Sequence, residues 1–287
     1  MWRRILSDMV KPPNLFLQYR YQKFIDVVWG HYRVHQRSCL PWRATFNPYR
    51  IVVSELMLQQ TQVVRVVPKY RAFLQRFKNT KQLAEAPLAE VLRYWQGLGY
   101  NRRAKYLQQC AQVVYTQYSG RWPCSAEELE QLPGIGPYTA AAVAAFAYNQ
   151  PTVCIETNIR TAVIHHYFPD QTAVSDVDIA RVVQGTLDVK NPREWYWALM
   201  DYGSYVKQTY GNRTQQAKSY AKQSRFVGSD REIRGAIIQI LTEQSTATVG
   251  ELCKRGFAKR RVTEQCQNLC REGLLQQTRE GCFQLAQ

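Results

Sequence analysis

One stretch sets residue types at a spacing that chemistry can use: Leu132-Pro133-Gly134-Ile135-Gly136-Pro137-Tyr138-Thr139-Ala140. Two glycines bracket an apolar residue, and Pro137 stands where a helix favours proline, at its first position. A glycine hairpin lets backbone approach a phosphate closely, and the amides opening the next helix point toward it. Taken alone, the pattern also fits an ordinary corner between two helices. The cysteines offer a second chemistry, and their spacing argues against it. Eight of them (39, 110, 124, 154, 253, 266, 270 and 282) contain no C-x-x-C, and the closest pair, Cys266 and Cys270, is spaced i, i+4. Metal and cluster sites need several ligands at tight spacing, so free and mostly buried thiols are expected.

Elements must hold such a hairpin, and 287 residues suffice for two compact domains. A charged fraction of 21% beside 45% hydrophobic residues excludes wholesale disorder. The net charge of +16 is unevenly spread. Residues 1–50 carry nine basic and two acidic groups, and 207–229 carry five basic groups and no acid. The body between them, 51–206, is nearly neutral, with fifteen against thirteen. Basic segments flanking a neutral body are the footprint of a polyanion binder, most often of nucleic acid. The longest apolar run, Ala140 to Tyr148, is far shorter than the roughly 20 residues a bilayer requires. No apolar run follows the basic N-terminus, so no secretory signal is expected. A cytoplasmic location is expected, nucleoid-associated in a prokaryote.

Periodicity predicts an all-α body. Helices are expected over Asn14–Val34, Val52–Phe77 with a break at Pro68, Leu88–Trp95, Arg103–Tyr118, Ser125–Leu132, Pro137–Tyr148, Thr157–Tyr167, Asp176–Leu187 and Arg193–Val206. Ser125 and Glu128 read as a capping box. Residues 207–229 lose periodicity and read as a basic linker. Beyond it, helices at Arg231–Thr242, Val249–Arg255 and Arg260–Glu272 precede a hairpin at Leu274–Leu285. Three helices and a hairpin are the winged-helix plan, whose third helix usually enters the major groove. Lys259, Arg260 and Arg261 at its start fit DNA contact, with protein docking as the alternative. The domains are thus 1–206, a linker 207–229, and 230–287.

The glycine motif resembles the helix-hairpin-helix of the DNA glycosylases related to endonuclease III and to the adenine glycosylase MutY. The resemblance extends over roughly residues 30–206. It rests on Leu40-Pro41-Trp42-Arg43, Asn47-Pro48-Tyr49, Ser54 to Val63 with its Glu-Leu-Met-Leu-Gln-Gln-Thr-Gln run, Gly97-Leu98-Gly99-Tyr100, and Ala198 to Gly203. It implies an all-α helix-hairpin-helix glycosylase fold of two helical subdomains, here followed by a small winged helix. Glu55 matches the acid that protonates the departing adenine, and Tyr138 the tyrosine beside it. Such chemistry needs a protonated leaving base and a stabilised sugar cation. A carboxyl in a largely apolar pocket can keep its proton near neutral pH. Gln59 and Gln60 match residues filling the gap left by the flipped base, and Tyr100 an aromatic wedged near the orphan base. Arg43, Gly134, Gly136 and Asn158 join the expected DNA-binding set.

The departures shape the expectation. Glu156 stands where the family has the aspartate facing the sugar cation, so the charge sits one methylene further out. Trp197 replaces a base-contacting Gln or Glu. The four-cysteine iron–sulfur motif and the 8-oxoguanine recognition domain are missing, and tyrosine replaces the Schiff-base lysine of bifunctional relatives. The expectation is a monofunctional glycosylase acting on adenine opposite guanine or 8-oxoguanine, monomeric, bound to mismatched or lesioned double-stranded DNA and away from membranes. No cofactor is expected, neither cluster nor catalytic metal, with room for a monovalent cation at the hairpin. The alternatives are a uracil or thymine mismatch glycosylase and a catalytically silent lesion binder.

Overall fold

A computed structural model describes residues 15–286. The chain forms two compact units, one from residues up to 43 with 140–222, the other from 44–139 with 223 onward. The seams therefore fall at 43/44, 139/140 and 222/223 rather than at 206 and 229.

The first unit is built from α1 (Leu15–His35), the C-terminal part of α8 (Pro137–Tyr148), α9 (Thr157–Tyr167), α10 (Asp176–Gly185) and α11 (Pro192–Tyr210). The alanine-rich face of α8 from Ala140 to Ala147 is wholly buried, as a helix apolar all round should be. The start of α9 lies hard against α11. A Cβ on Gly203 would collide with the carbonyl of Asn158, so only glycine admits this approach. The expected linker begins too early. The last helix runs on to Tyr210, a 3-10 turn at Arg213–Gln216 buries Thr214, and Ala217 forms a parallel bridge with Val174. Long polar side chains hid this half of the segment, because backbone pairing and one threonine tie it down.

The second unit holds α2 (Pro48–Leu58), α3 (Val63–Arg76), α4 (Thr80–Ala84), α5 (Leu88–Trp95), α6 (Arg102–Gln117) and α7 (Ala126–Leu129). Its core includes Phe73, Phe77, Trp95 and Leu107. The single interrupted helix expected over Val52–Phe77 is two helices, and the break is at Gln59–Gln62, not at Pro68. Proline is harmless at its exposed position in α3 because the carbonyl it leaves unbonded, that of the exposed Val64, faces solvent. In α2, Asn47 accepts from the Arg50 amide at 3.3 Å and Pro48 occupies the first turn, so the start is encoded locally. Every residue from Tyr49 to Met57 except Arg50 is buried, which makes α2 the axis of this unit.

The same unit contains the C-terminal elements α12 (Asp230–Gln244), β1 (Thr246–Ala247), α13 (Val249–Leu252), α14 (Lys259–Arg271), β2 (Leu275–Gln277) and β3 (Phe283–Leu285). The sheet is antiparallel in the order β1-β3-β2, pairing Leu275 with Leu285 and Ala247 with Phe283. That is the winged-helix order, with a two-residue β1 too short for alternation to reveal. Ile233, Ile237, Leu241, Val262, Leu269 and Phe283 fill its core. It is anchored to α6 where Lys105 donates to the Glu272 carbonyl at 2.6 Å. No described helix is long and apolar enough to cross a membrane.

Candidate active site

In the second unit, Glu55 lies on α2 and is only 7% exposed. The Tyr138 hydroxyl, on the first turn of α8, donates to Glu55 Oε2 at 3.1 Å. One residue on, the Thr139 hydroxyl accepts from Gln59 Nε2 at 3.3 Å, so the glycine hairpin and the end of α2 are stitched side by side. Residues 83 positions apart thus bring an acid and a phenol together.

The two hairpin glycines differ in kind. Gly134 has φ +75, and a Cβ there would run into the Tyr106 side chain, so packing alone demands glycine. Gly136 has no such need: its backbone is ordinary and nothing lies within 4 Å of where its Cβ would sit. Both are exposed. A glycine that the chain itself does not require keeps the backbone open to a partner.

Sequence reasoning missed the group that holds this corner. Arg103 on α6 is buried and donates to the carbonyls of Leu56 at 2.5 Å, Met57 at 3.1 Å, Gln59 at 2.7 Å, Leu98 at 3.1 Å and Gly99 at 3.0 Å. It satisfies the last carbonyls of α2, which a helix leaves unbonded, and places a cation at that helix's negative end. It also locks α2 to the Gly97–Tyr100 turn. Burial lowers its pKa to about 10, so it remains a cation at neutral pH. Position i+3 from Tyr100 was its only trace in the sequence.

Gln60, expected with Gln59 to fill the gap, and Tyr100, the expected wedge, occupy left-handed backbone at φ 53 and 47, an uncommon state for side-chain-bearing residues and one that recurs at functional sites. Gln223 Nε2 bridges them, 3.3 Å from Gln60 Oε1 and 2.5 Å from the Tyr100 hydroxyl.

At the C-terminal helix α14, Lys259 and Arg260 are exposed at its first turn. Arg261 is committed elsewhere: its Nη2 binds Asp230 at 2.6 Å and the Gly228 carbonyl at 2.9 Å. It staples α14 to the start of α12 instead of facing outward.

The first unit carries the other carboxylate. Glu156 is the N-cap of α9, with Oε1 accepting from the Asn158 amide at 2.7 Å and the Ile159 amide at 2.9 Å, and Oε2 from Asn158 Nδ2 at 3.3 Å. Burial raises its pKa, against the pull of these hydrogen bonds and of Arg37. The extra methylene is thus absorbed by a cap, and the Asn158 side chain holds the carboxylate as part of it.

Arg43 departs from its expected DNA contact. It is buried and forked onto Asp201, with Nη1 and Nη2 each 2.8 Å from a carboxylate oxygen. Arg37 adds a bond from its backbone amide at 2.9 Å and one from Nε at 2.5 Å. Burial alone would raise the Asp201 pKa, but Arg43 and Arg37 outweigh it and hold the carboxyl below its ordinary value. Trp197 lies under the Arg43 guanidinium at 5.6 Å and parallel to Phe146, so packing sets its ring.

Among the described residues, no group of three or more His, Cys, Asp or Glu side chains could hold a metal ion. All eight cysteines are free, and burial pushes Cys110 and Cys266 up to about 12.

Residues 53–190 match the model of the HhH-GPD superfamily base excision DNA repair proteins. The chain is 34% identical over 273 residues to the adenine DNA glycosylase of Mycolicibacterium smegmatis, covering 88% of this chain and 92% of that protein. It is 35% identical to the adenine DNA glycosylase of Mycobacterium tuberculosis, covering 72% of this chain and 75% of that one. A thermostable thymine-DNA glycosylase of known structure shares the fold at a TM-score of 0.61 and 23% identity, covering 70% of this chain and 94% of that one. With a hairpin, a buried acid and a 34% identical relative covered over 92% of its length, the chain belongs to the HhH-GPD superfamily of base excision DNA repair proteins.

Proposed function

We propose that the chain is a monofunctional DNA glycosylase that removes adenine paired with guanine or 8-oxoguanine. The observation that carries this reading is the hydrogen bond from Tyr138 to the buried carboxyl of Glu55, beside the glycine hairpin. It gains weight from relatives that are named adenine DNA glycosylases.

Glu55 delivers a proton to N7 of the extruded adenine, with Tyr138 fixing the carboxyl's orientation. The bond between C1′ and the base nitrogen breaks, its electron pair leaves with the base, and positive charge develops on the sugar. An ionised Glu156 would supply the opposing charge, its cap hydrogen bonds favouring the carboxylate against the burial that raises its pKa. Water then adds at C1′ and releases a proton to solvent, leaving an abasic sugar and free adenine. No lysine stands at position 138, so the sugar is released without a Schiff base and the strand stays intact.

The donor set does not fit an iron–sulfur cluster, since residues 207–229 contain no cysteine. We read the enzyme as clusterless and acting as a monomer on double-stranded DNA. Gly136 and the exposed pair Lys259 and Arg260 would meet phosphates.

The test is Glu55→Gln. It should bind mispaired duplex as tightly as the parent and lose about 100- to 10,000-fold in single-turnover excision, the reach of general acid catalysis. Activity near that of the parent would sink the assignment. Parent enzyme that removes uracil or thymine opposite guanine and leaves adenine intact would replace the substrate. The same preparation should contain no stoichiometric iron.

A further inference from the structure

The connector into the C-terminal helices does not hang free; it covers the Gln60 and Tyr100 corner with its own polar side chains. Besides the Gln223 bridge, Arg231 Nη1 donates to the Tyr100 hydroxyl at 2.9 Å, and its Nη2 to the Ser224 carbonyl at 2.6 Å. The guanidinium plane is therefore fixed, and it takes part in a longer stack. Arg103 lies 5.4 Å from the Trp95 ring and 5.5 Å from Tyr100, while Arg231 lies 5.7 Å from Tyr100 and 6.0 Å from Phe226. Cations and aromatic faces alternate from the fully buried Trp95 to Phe226, which is 56% exposed. An exposed phenylalanine and a fixed guanidinium at the end of a rigid stack are poorly explained by core packing.

These groups border a cavity of about 1190 Å³, which also reaches Gln59, Gly134 and the half-buried Lys69. That space exceeds the usual 300–1,000 Å³ of a small-ligand pocket and admits a nucleotide. Its chemistry is specific: aromatic faces for a base to stack on, a planar cationic fork, and one primary amide that can either donate or accept.

We propose that Gln223 and Arg231 read the base left opposite the excision, and that this base is a guanine type. The inference rests on the reading that the chain removes a base from a mispair. Arg231 donates to O6, the acceptor that arginine most often seeks on guanine. Gln223 donates to N7 of guanine, or turns over to accept the N7–H of 8-oxoguanine. The Tyr100 hydroxyl, which now occupies both donors, is the acceptor that the base edge displaces. Because one amide serves both edges, the reader favours guanine types over other purines while separating guanine from 8-oxoguanine weakly.

The experiment measures binding, so that it does not depend on which base is removed. Full-length protein is titrated with duplexes carrying an uncleavable abasic-site analogue opposite guanine, 8-oxoguanine, or a plain purine lacking O6. The parent should prefer the first two over the plain purine by about 10-fold, the scale of one good two-pronged contact. Arg231→Met, and also Arg231→Lys, which keeps the charge without the fork, should abolish that preference. Gln223→Ala, at an exposed side chain, should reduce it in the same direction. Equal affinity of the parent for all three duplexes, or variants that weaken all three equally, would overturn the proposal. Failure of the adenine reading would show separately, as parent enzyme that binds with this preference yet excises no adenine.

Discussion

Among the described residues each compact unit buries one arginine, and the two arginines are satisfied in opposite ways. Arg103 in the second unit meets backbone carbonyls, whereas Arg43 in the first meets the carboxylate of Asp201. The carbonyl clamp leaves a net positive charge behind the end of α2 and the Tyr100 turn, where a polyanion would approach. The ion pair, shared with Arg37, instead cements α11 to the chain entering the second unit. Burial of a charge is tolerable only when every hydrogen-bonding atom finds a partner, and both solutions meet that demand. A buried arginine by itself therefore says nothing about ligand contact.

The comparison breaks most visibly under methionine. Arg103→Met removes a donor from five carbonyls, of which Gln59, Leu98 and Gly99 each keep a second one, and together with the lost buried packing it should cost about 4 kcal/mol in urea unfolding, with excision lost as the Gln59–Tyr100 region loosens. Arg43→Met should cost less, about 2–3 kcal/mol, because Arg37 still holds Asp201. A larger loss at Arg43 than at Arg103 would reverse the ranking. Since Asp201 has a lowered pKa in the fold, the pair's contribution is present above the unfolded carboxylate range and fades as pH falls through the folded value. The Arg43→Met penalty should accordingly shrink in acid, while the Arg103→Met penalty stays level.

A smaller effect is expected at Glu156. Replacing it with glutamine keeps an oxygen for the α9 cap and removes the charge, so stability should move by less than about 1 kcal/mol. Excision should fall about 100-fold, the scale of one lost electrostatic stabiliser. The raised pKa of Glu156 places the parent's acid limb above the ordinary glutamate range, because the carboxylate must be ionised to act. The variant should lack that limb. An unchanged single-turnover rate would leave Glu156 as a helix cap and nothing more.

The gentlest test separates the hairpin glycines. Gly134→Ala must push Tyr106 aside from a left-handed backbone and should cost about 1–2 kcal/mol of stability. Gly136→Ala should leave the melting temperature in place and weaken duplex binding about 5- to 10-fold, if the open backbone meets phosphate. Equal stability losses would make both glycines structural.

Much of this was legible in the chain. Helix bounds at Leu88–Trp95, Pro137–Tyr148 and Thr157–Tyr167 agree with the structure, because caps, prolines and glycines are local signals. The hairpin stood out for the same reason, whereas Glu55 and Tyr138 were singled out by the family resemblance. Pro68 misled, since a proline breaks a helix only where the lost hydrogen bond cannot be given to water. Arg43 and Arg261 looked like DNA contacts because charge is visible in sequence and its partner is not: Asp201 lies 158 residues from Arg43, and Asp230 lies 31 from Arg261.

The amino-acid sequence alone determined the all-α class, the place of the glycine hairpin and the excess of positive charge. These follow from local periodicity and composition, which need no knowledge of what packs where. Only the tertiary structure decided that Arg103 is the clamp, that Glu156 is a cap, that the C-terminal helices join the unit of α2, and that Gln223 and Arg231 lie over Tyr100. Each of those depends on which distant group satisfies a buried or exposed hydrogen-bonding atom, and long-range pairing of that kind leaves no periodic trace along the chain.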